Sequence, residues 1–327
     1  MSKLVTIYGG SGFVGRYIAR RMANEGWRVR VAVRRPNEAM FVKPYGVVGQ
    51  VEPILCNIRD DASVATVMHG ADAVVNCVGV LNELGKNEFD AVQAEGAERI
   101  ARIAAEQGVA RMVHISAIGA DATSKSEYSR TKAKGEAGVL AHMPNAVILR
   151  PSVIFGTEDQ FFNRFAGMTR MGPFLPLVGA ETKFQPVYVD DVAKAAVQGV
   201  LGQAEGGTYE LGGPEVKSFR ALMQQMLGVI HRRRVIVGVP FWAARIMAGV
   251  LDIAKFVSFQ LFPNHILTRD QLTNLRRDNV VSGDAKGFGD LGIEPATLES
   301  ILPDYLWKFR PSGQYDEIQK SADNLRT

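Results

Sequence analysis

The chain has 327 residues, 46% of them hydrophobic, which is enough for one large α/β domain plus a smaller appendage and excludes a disordered polypeptide. Its 38 Lys and Arg nearly balance 34 Asp and Glu, and a net charge of +4 is too small to argue for nucleic acid unless basic residues concentrate locally. The two cysteines, Cys56 and Cys77, form no CxxC pair, and no histidine stands at ligand spacing. They point to reduced thiols in a cytosol-like compartment, filling core rather than holding metal.

Met1 to Lys3 leads straight into the apolar run Leu4 to Tyr8, leaving no room for a signal or transit peptide, so the chain is expected to start as folded protein. Short β-branched runs predict strands at Leu4 to Tyr8, Arg28 to Val33, Val51 to Leu55, Ala73 to Val78, Met112 to Ile115 and Ala146 to Leu149. Helical patterns separate them at Phe13 to Glu25, Ala62 to Met68, Ala91 to Gln107 and Glu127 to His142. This alternation predicts an α/β fold: a doubly wound parallel sheet of Rossmann type over 1–150, with a smaller lobe over 151–327 that interleaves with late sheet elements. The lobe carries helical patterns near Asp190 to Leu201 and Ser218 to Val229, an apolar interaction segment at 239–267 and a polar tail.

The turn Gly9-Gly10-Ser11-Gly12-Phe13-Val14-Gly15 joins the first strand to the first helix. Backbone there can pack closely on a pyrophosphate while helix amides face its charge; the bland alternative is a turn needed only for packing. Arg34 and Arg35 end the second strand, where an NAD-binding protein would carry a carboxylate for the ribose 2′-hydroxyl. Guanidinium groups suit a 2′-phosphate instead, and Arg16 can reach the same group from the helix start, so the expected cofactor is NADPH. Solvated surface arginines are the competing reading. Asn57, followed by Ile58, is placed to bond adenine, and Asn76, Cys77, Val78 and Gly79 end the fourth strand beside the cofactor.

Tyr128 and Lys132 form a YxxxK pair, one turn apart on one helix face. A lysine ammonium lowers a tyrosine pKa and holds the nicotinamide ribose, so the phenol can exchange a proton during hydride transfer. Ser116 precedes the pair at the end of the fifth strand.

Together, GGSGFVG from Gly9, CVG from Cys77, HIS ending at Ser116, YSRTK from Tyr128, RPSVIFG from Arg150 and QPVYVDDVA from Gln185 resemble the extended and atypical short-chain dehydrogenase/reductase superfamily over Leu4 to Gly213. The resemblance implies Ser116, Tyr128 and Lys132 as the catalytic set and adds Pro151 and Val153 to the cofactor side. The chain departs from active extended members, whose serine or threonine stands slightly later, where Ala117 and Ile118 are found, and its loop from Ser116 to Tyr128 is short. Tyr128 and Lys132 are therefore either catalytic or only ligands of a permanently held cofactor.

A narrower resemblance lies outside those motifs. FGTEDQFFNRFAGM from Phe155 to Met168, MGPFLPLVG and LTRDQL at Leu267 to Leu272 are similar to the NADPH-binding accessory subunits of respiratory complex I, NADH:ubiquinone oxidoreductase. With no presequence, the bacterial form is expected. That likeness implies a structural NADPH without turnover, other complex I subunits of the peripheral arm and membrane junction as partners, and a peripheral place on the cytoplasmic face of the inner membrane.

Phe241 to Phe262 is the most lipid-like stretch. Arg245, Asp252 and Lys255 would cost roughly 8 to 10 kcal/mol at a membrane centre against about 3 to 6 gained, so it should not span a bilayer. As a helix it would gather its charges into an arc of about 80° and lay a broad apolar face on anionic lipid, a partner or its own core, with Arg232 to Arg234 just upstream. The alternative to the accessory subunit is an active NADPH-dependent reductase, dehydratase or epimerase acting through Tyr128 and Lys132; a redox sensor of the NADPH pool is a third reading.

Overall fold

Leu4–Tyr8 is buried along its whole length and forms the central strand β1, as a continuous apolar run flanked by helices on both sheet faces should. The computed structural model describes residues 2–80, 85, 88–246, 249, 268–311, 313 and 315. Of the expected 241–262 helix, 241–246 is helical and most of the remainder, like the polar tail beyond 315, lies outside the described residues.

Two compact units divide the chain. The first comprises Met1–Ser152, Val189–Gly212 and Val281–Pro295; the second comprises Val153–Tyr188, Gly213–Val280 and Ala296–Thr327. In the first, β2 (Arg28–Val33), β3 (Val51–Leu55), β4 (Ala73–Asn76), β5 (Arg111–Ile115) and β6 (Val147–Pro151) join β1. The later strands are β7 (Ile154–Phe155), β8 (Phe174–Val178), β9 (Lys183–Phe184), β10 (Val187–Tyr188), β11 (Gly207–Leu211), β12 (Lys217–Ser218) and β13 (Val235–Val239). One wholly parallel sheet has the order β11-β6-β5-β4-β1-β2-β3, the doubly wound arrangement whose strand order reverses beside β1 and opens a crevice there.

The helices are α1 (Phe13–Asn24), α2 (Asp61–Met68), α3 (Glu95–Glu106), α4 (Glu127–His142), α5 (Phe162–Met168), α6 (Val189–Leu201), α7 (Phe219–Val229), α8 (Arg269–Asn274) and α9 (Leu298–Leu306). α1 buries Gly15, Ile18, Ala19, Met22 and Ala23, and a bidentate Arg21–Asp190 pair ties it to α6. Side-chain caps start the helices where the sequence offers them: Asp60 accepts from Ser63 N–H, Ser126 from Ser129 N–H and Thr297 from Ser300 N–H.

Two expected elements differ in their bounds. β4 stops at Asn76 rather than Val78, because Asn76 Oδ1 accepts the Val78 N–H at 3.0 Å and turns the chain out of the sheet. The helix expected from Ala91 opens with a π-helical turn over Asp90–Ala94 and becomes α-helical at Glu95. There the Gln93 carbonyl lies so close to Gly135 of α4 that a Cβ would sit 2.2 Å from it, and the Gln93 side chain donates to Val80 O at 2.8 Å. The widened turn thus serves a close helix–helix approach and pins the loop after β4.

The second unit is organised on aromatic rings. Phe161 contacts Phe162, Phe165, Phe184 and Phe219 at centroid distances of 5.0 to 5.9 Å, in a core that also takes Leu175, Leu177, Met223, Met226, Leu302 and Leu306. Asp159 is buried among them and accepts from Tyr305 Oη at 2.6 Å, Asn163 N–H at 2.9 Å and Gly156 N–H at 3.2 Å. Burial pushes its carboxyl above the usual range, and these donors pull it back. Tyr305→Phe removes one donor from a carboxylate that water cannot reach; urea unfolding should show a loss of about 1 to 3 kcal/mol.

Candidate functional site

The glycine turn is built by contacts that leave no room for side chains. A Cβ on Gly15 would stand 2.4 Å from Gly9 O and 2.7 Å from Gly10 Cα, so α1 can begin where it does only with glycine at that position. Gly9 has φ +74° and its missing Cβ faces the Cys77 carbonyl and Val78 nitrogen at 3.2 Å, which presses the β1 turn onto the loop after β4. α1 has Gly12 as its N-cap, without a side-chain cap and with no acid in the first turn, so its leading amides and positive dipole end suit an anion.

A cleft of about 270 Å³ opens over this turn, lined by Gly12, Phe13, Val14, Gly15, Cys77, Gly79, Val80, Ile115 and Tyr128. Six residues expected on the cofactor side besides Gly12 therefore converge: Phe13, Val14, Gly15, Cys77, Gly79 and Tyr128. Val80, in the loop held by the Gln93 side chain, and Ile115, at the end of β5, were not among those expected.

Tyr128 enters on the first turn of α4, its ring edge-on to Phe89 at 5.9 Å. Lys132 lies one turn further on and is buried; its Nζ donates to Ile115 O at 3.2 Å and sits 3.4 Å from where a Gly79 Cβ would be. Burial pulls the ammonium down to about 8 against the opposing pull of Glu136 and Cys77. Glu136 is itself clamped by Arg150 through bonds of 2.9 and 2.6 Å, so its charge is shared. Burial pushes the Cys77 thiol up to about 12, although Lys132 works to lower it, so the thiol stays protonated and unreactive at neutral pH.

Beneath the cleft lies a polar pair with no obvious sequence signature. Asn76 Nδ2 and His114 Nδ1 are 3.1 Å apart and both residues are buried. Burial, reinforced by Lys132, holds His114 down to about 3, so the imidazole is neutral. Donation by the amide makes Nδ1 the acceptor and leaves the proton on Nε2, which has no partner among the described residues. Ser116 is only 4% exposed, and its Oγ likewise has no partner among the described residues.

The adenosine side is looser. Arg16 bends back to Ser11 O at 3.1 Å and lays its guanidinium 4.7 Å from the centroid of Phe41. Phe41 belongs to a 3₁₀ segment, Pro36–Tyr45, whose ring next to Arg16 sequence spacing could not reveal. Arg34 and Arg35 are both exposed at the end of β2; Arg35 pairs with Glu38 at 3.0 Å, a carboxylate three residues on that competes for it. Asn57 is exposed and its Oδ1 accepts from Arg59 N–H at 3.2 Å, while Ile58 packs toward Gly96 of α3. Pro151 ends β6, where its carbonyl accepts from Ile118 N–H at 3.0 Å. Val153 belongs to the second unit, its N–H donating to Asn279 Oδ1 at 3.1 Å.

Among the described residues no cluster of His, Cys, Asp or Glu could hold a metal, and no helix is long and apolar enough to cross a membrane.

Residues 5–212 match the NAD dependent epimerase/dehydratase family. The chain is 36% identical over 316 residues to the mitochondrial NADH dehydrogenase [ubiquinone] 1 alpha subcomplex subunit 9 of Arabidopsis thaliana, covering 95% of this chain and 79% of that protein. It is 33% identical over 312 residues to the mitochondrial NADH-ubiquinone oxidoreductase 40 kDa subunit of Neurospora crassa, covering 95% and 80%. Among solved structures, the crystal structure of gox2253 shares the fold at a TM-score of 0.70 and 22% identity, covering 95% of this chain and 99% of that one. The chain belongs to the NAD dependent epimerase/dehydratase family, in the branch that includes these two subunits of respiratory NADH:ubiquinone oxidoreductase.

Proposed function

We propose that this protein is an accessory subunit of respiratory complex I that holds one NADPH as a structural ligand, without turnover. It docks with other complex I subunits on the peripheral arm near the membrane, on the cytoplasmic face of a bacterial inner membrane. The observation that carries this reading is similarity over nearly the whole chain, through both units, to subunits of that enzyme.

The site supports the ligand and its passive role. Amides at the start of α1 would hold the pyrophosphate, and Lys132 and Tyr128 would hold the nicotinamide ribose. Arg16, steadied on Phe41, and Arg34 would hold the 2′-phosphate, with Arg35 contributing less because Glu38 shares its charge. Ser116 stands earlier than the serine or threonine of active extended members, and Ala117 and Ile118 occupy the later positions, which favours holding over catalysis. A ligand that binds only the native state adds RT ln(1 + [L]/Kd), about 4 kcal/mol at a thousandfold excess over Kd. The second reading, an NADPH-dependent reductase, dehydratase or epimerase, rests on Tyr128 and Lys132 sharing one face of α4, with Tyr128 on the cleft.

Solubilised from native membranes, the full chain should co-migrate with NADH:quinone oxidoreductase subunits and keep its nucleotide through extensive dialysis. Tyr128→Phe should leave both unchanged. A soluble homodimer without respiratory companions would overturn the assignment. Calorimetry on nucleotide-stripped protein should show NADPH binding at least about tenfold more tightly than NADH, with Arg16→Ala narrowing the ratio; equal affinities would remove the 2′-phosphate assignment.

Lys132 gives a test in pH. Its folded pKa of about 8 lies below the roughly 10.4 of an unfolded lysine, so between those values the unfolded chain binds the extra proton. Stability of the nucleotide-free protein should therefore rise with pH across that window, and the penalty should be fully present below it. Lys132→Met should stabilise the nucleotide-free chain at pH 7 by on the order of 2 kcal/mol and flatten the rise, as read by denaturant midpoints.

A further inference from the structure

β8 and β13 pair in parallel, with Phe174 opposite Val235, Pro176 opposite Val237 and Val178 opposite Val239, so these six side chains share one face of a two-stranded ribbon. On the other face Leu175 and Leu177 are buried in the core of the second unit, with Ile236 against it. Both faces are thus apolar. The downstream end of the outer face is closed, where Val178, Val239 and Phe241 pack with Ala244 and Leu272. The upstream end is open: Phe174 is 61% exposed, Val235 59% and Val237 42%. Met171 just before β8, and Trp242 and Ile246 after β13, are also exposed.

Because the strands run parallel, both enter at the same end, and each is preceded by arginine. Arg170 precedes β8; Arg232, Arg233 and Arg234 precede β13. Backbone carbonyls gather them: Arg234 donates to Thr169 O at 2.9 Å, Arg170 to Lys308 O at 2.7 Å and Arg232 to Phe309 O at 2.8 Å. Carbonyls fix the guanidinium groups without neutralising them. Among the described residues, Arg170, Arg232, Arg233, Arg234 and Lys308 form no ion pair with a carboxylate.

We propose that this open apolar face, with the cationic cluster at its upstream end, is a docking surface for an anionic phospholipid bilayer. Headgroup phosphates match carbonyl-fixed guanidinium groups, and the acyl boundary beneath them matches Phe174, Val235 and Val237. Trp242, with an apolar ring and one polar N–H, suits the same boundary. A second copy is the poorer occupant, because a two-fold contact centred on the cluster would set its cations against their own copies. The inference takes from the proposed function only the nearness of a membrane, and needs neither cofactor nor companion subunits.

The test is vesicle flotation of the purified full chain. It should float with vesicles of equal phosphatidylcholine and phosphatidylglycerol, lose affinity as salt rises, and stay behind with phosphatidylcholine alone. Arg233→Gln and Arg170→Gln should each weaken binding about fivefold. Phe174→Ser with Val237→Ser should weaken it at least about tenfold while leaving the unfolding midpoint near that of the parent, since both side chains face outward. Equal binding to both vesicle types, no binding to either, or full binding by the Phe174/Val237 double variant would overturn the proposal. So would a dimer in light scattering that this double variant dissolves, which would give the face to a second copy. Failure here leaves co-migration with respiratory subunits intact, so the two readings fall separately.

Discussion

The approach of Gly15 to the carbonyl of Gly9 governs the first unit. A methyl group at either residue would meet backbone, at 2.4 Å for Gly15 and 3.2 Å for Gly9, and neither backbone segment can yield without moving a strand. That contact sets α1 low on the sheet, so its uncapped first turn ends at the crevice where strand order reverses. The same contact presses Gly9 against Cys77 and Val78, which brings the loop after β4 to the cleft. Packing of α1 then reaches α6 through the Arg21–Asp190 pair, so one steric requirement positions helices on one side and the candidate ligand wall on the other.

Electrostatics beneath the cleft follow from burial rather than from pairing. Lys132 is enclosed, its ammonium donates to a neutral carbonyl, and Glu136, the carboxylate that pulls on it, is already committed to Arg150. The same enclosure keeps His114 neutral and the Cys77 thiol protonated. Without ligand, the unit bears the cost of a buried and poorly compensated cation. An anionic nucleotide placed over α1 would offset part of that cost, which is a physical reason for the cleft to favour an occupied state.

Architecture was legible in the sequence where residue pattern and structure share a period. Leu4–Tyr8 and Arg28–Val33 are strands with the expected bounds, and the glycine turn lies between β1 and α1 as expected. Legibility ended where long-range contact decides. Nothing in the apolar run from Ala73 marks the point at which Asn76 Oδ1 ends β4, and nothing near Gln93 announces a π turn, which depends on the distant Gly135 of another helix. The pairing of β8 with β13 joins segments far apart in the chain in parallel, a relation that alternation cannot encode. The Phe155 to Met168 block carried the narrower resemblance, and its rings prove to be the core of the second unit. What was legible there was a packing solution, from which kinship follows more directly than chemistry.

That distinction bears on the Tyr128–Lys132 pair. In a catalyst, both residues are explained by proton transfer, and loss of turnover should release them to vary. Here each also has a structural role, since the Tyr128 ring packs edge-on against Phe89 and Lys132 ties α4 to the end of β5 through Ile115 O. Lys132 Nζ also lies 3.4 Å from where a Gly79 Cβ would stand, so the ammonium is within contact range of the loop beside the cleft. The pair can therefore persist in a protein that only holds its nucleotide. Its presence discriminates poorly between a working reductase and a structural subunit, whereas similarity running through both units bears on kinship independently of the pair.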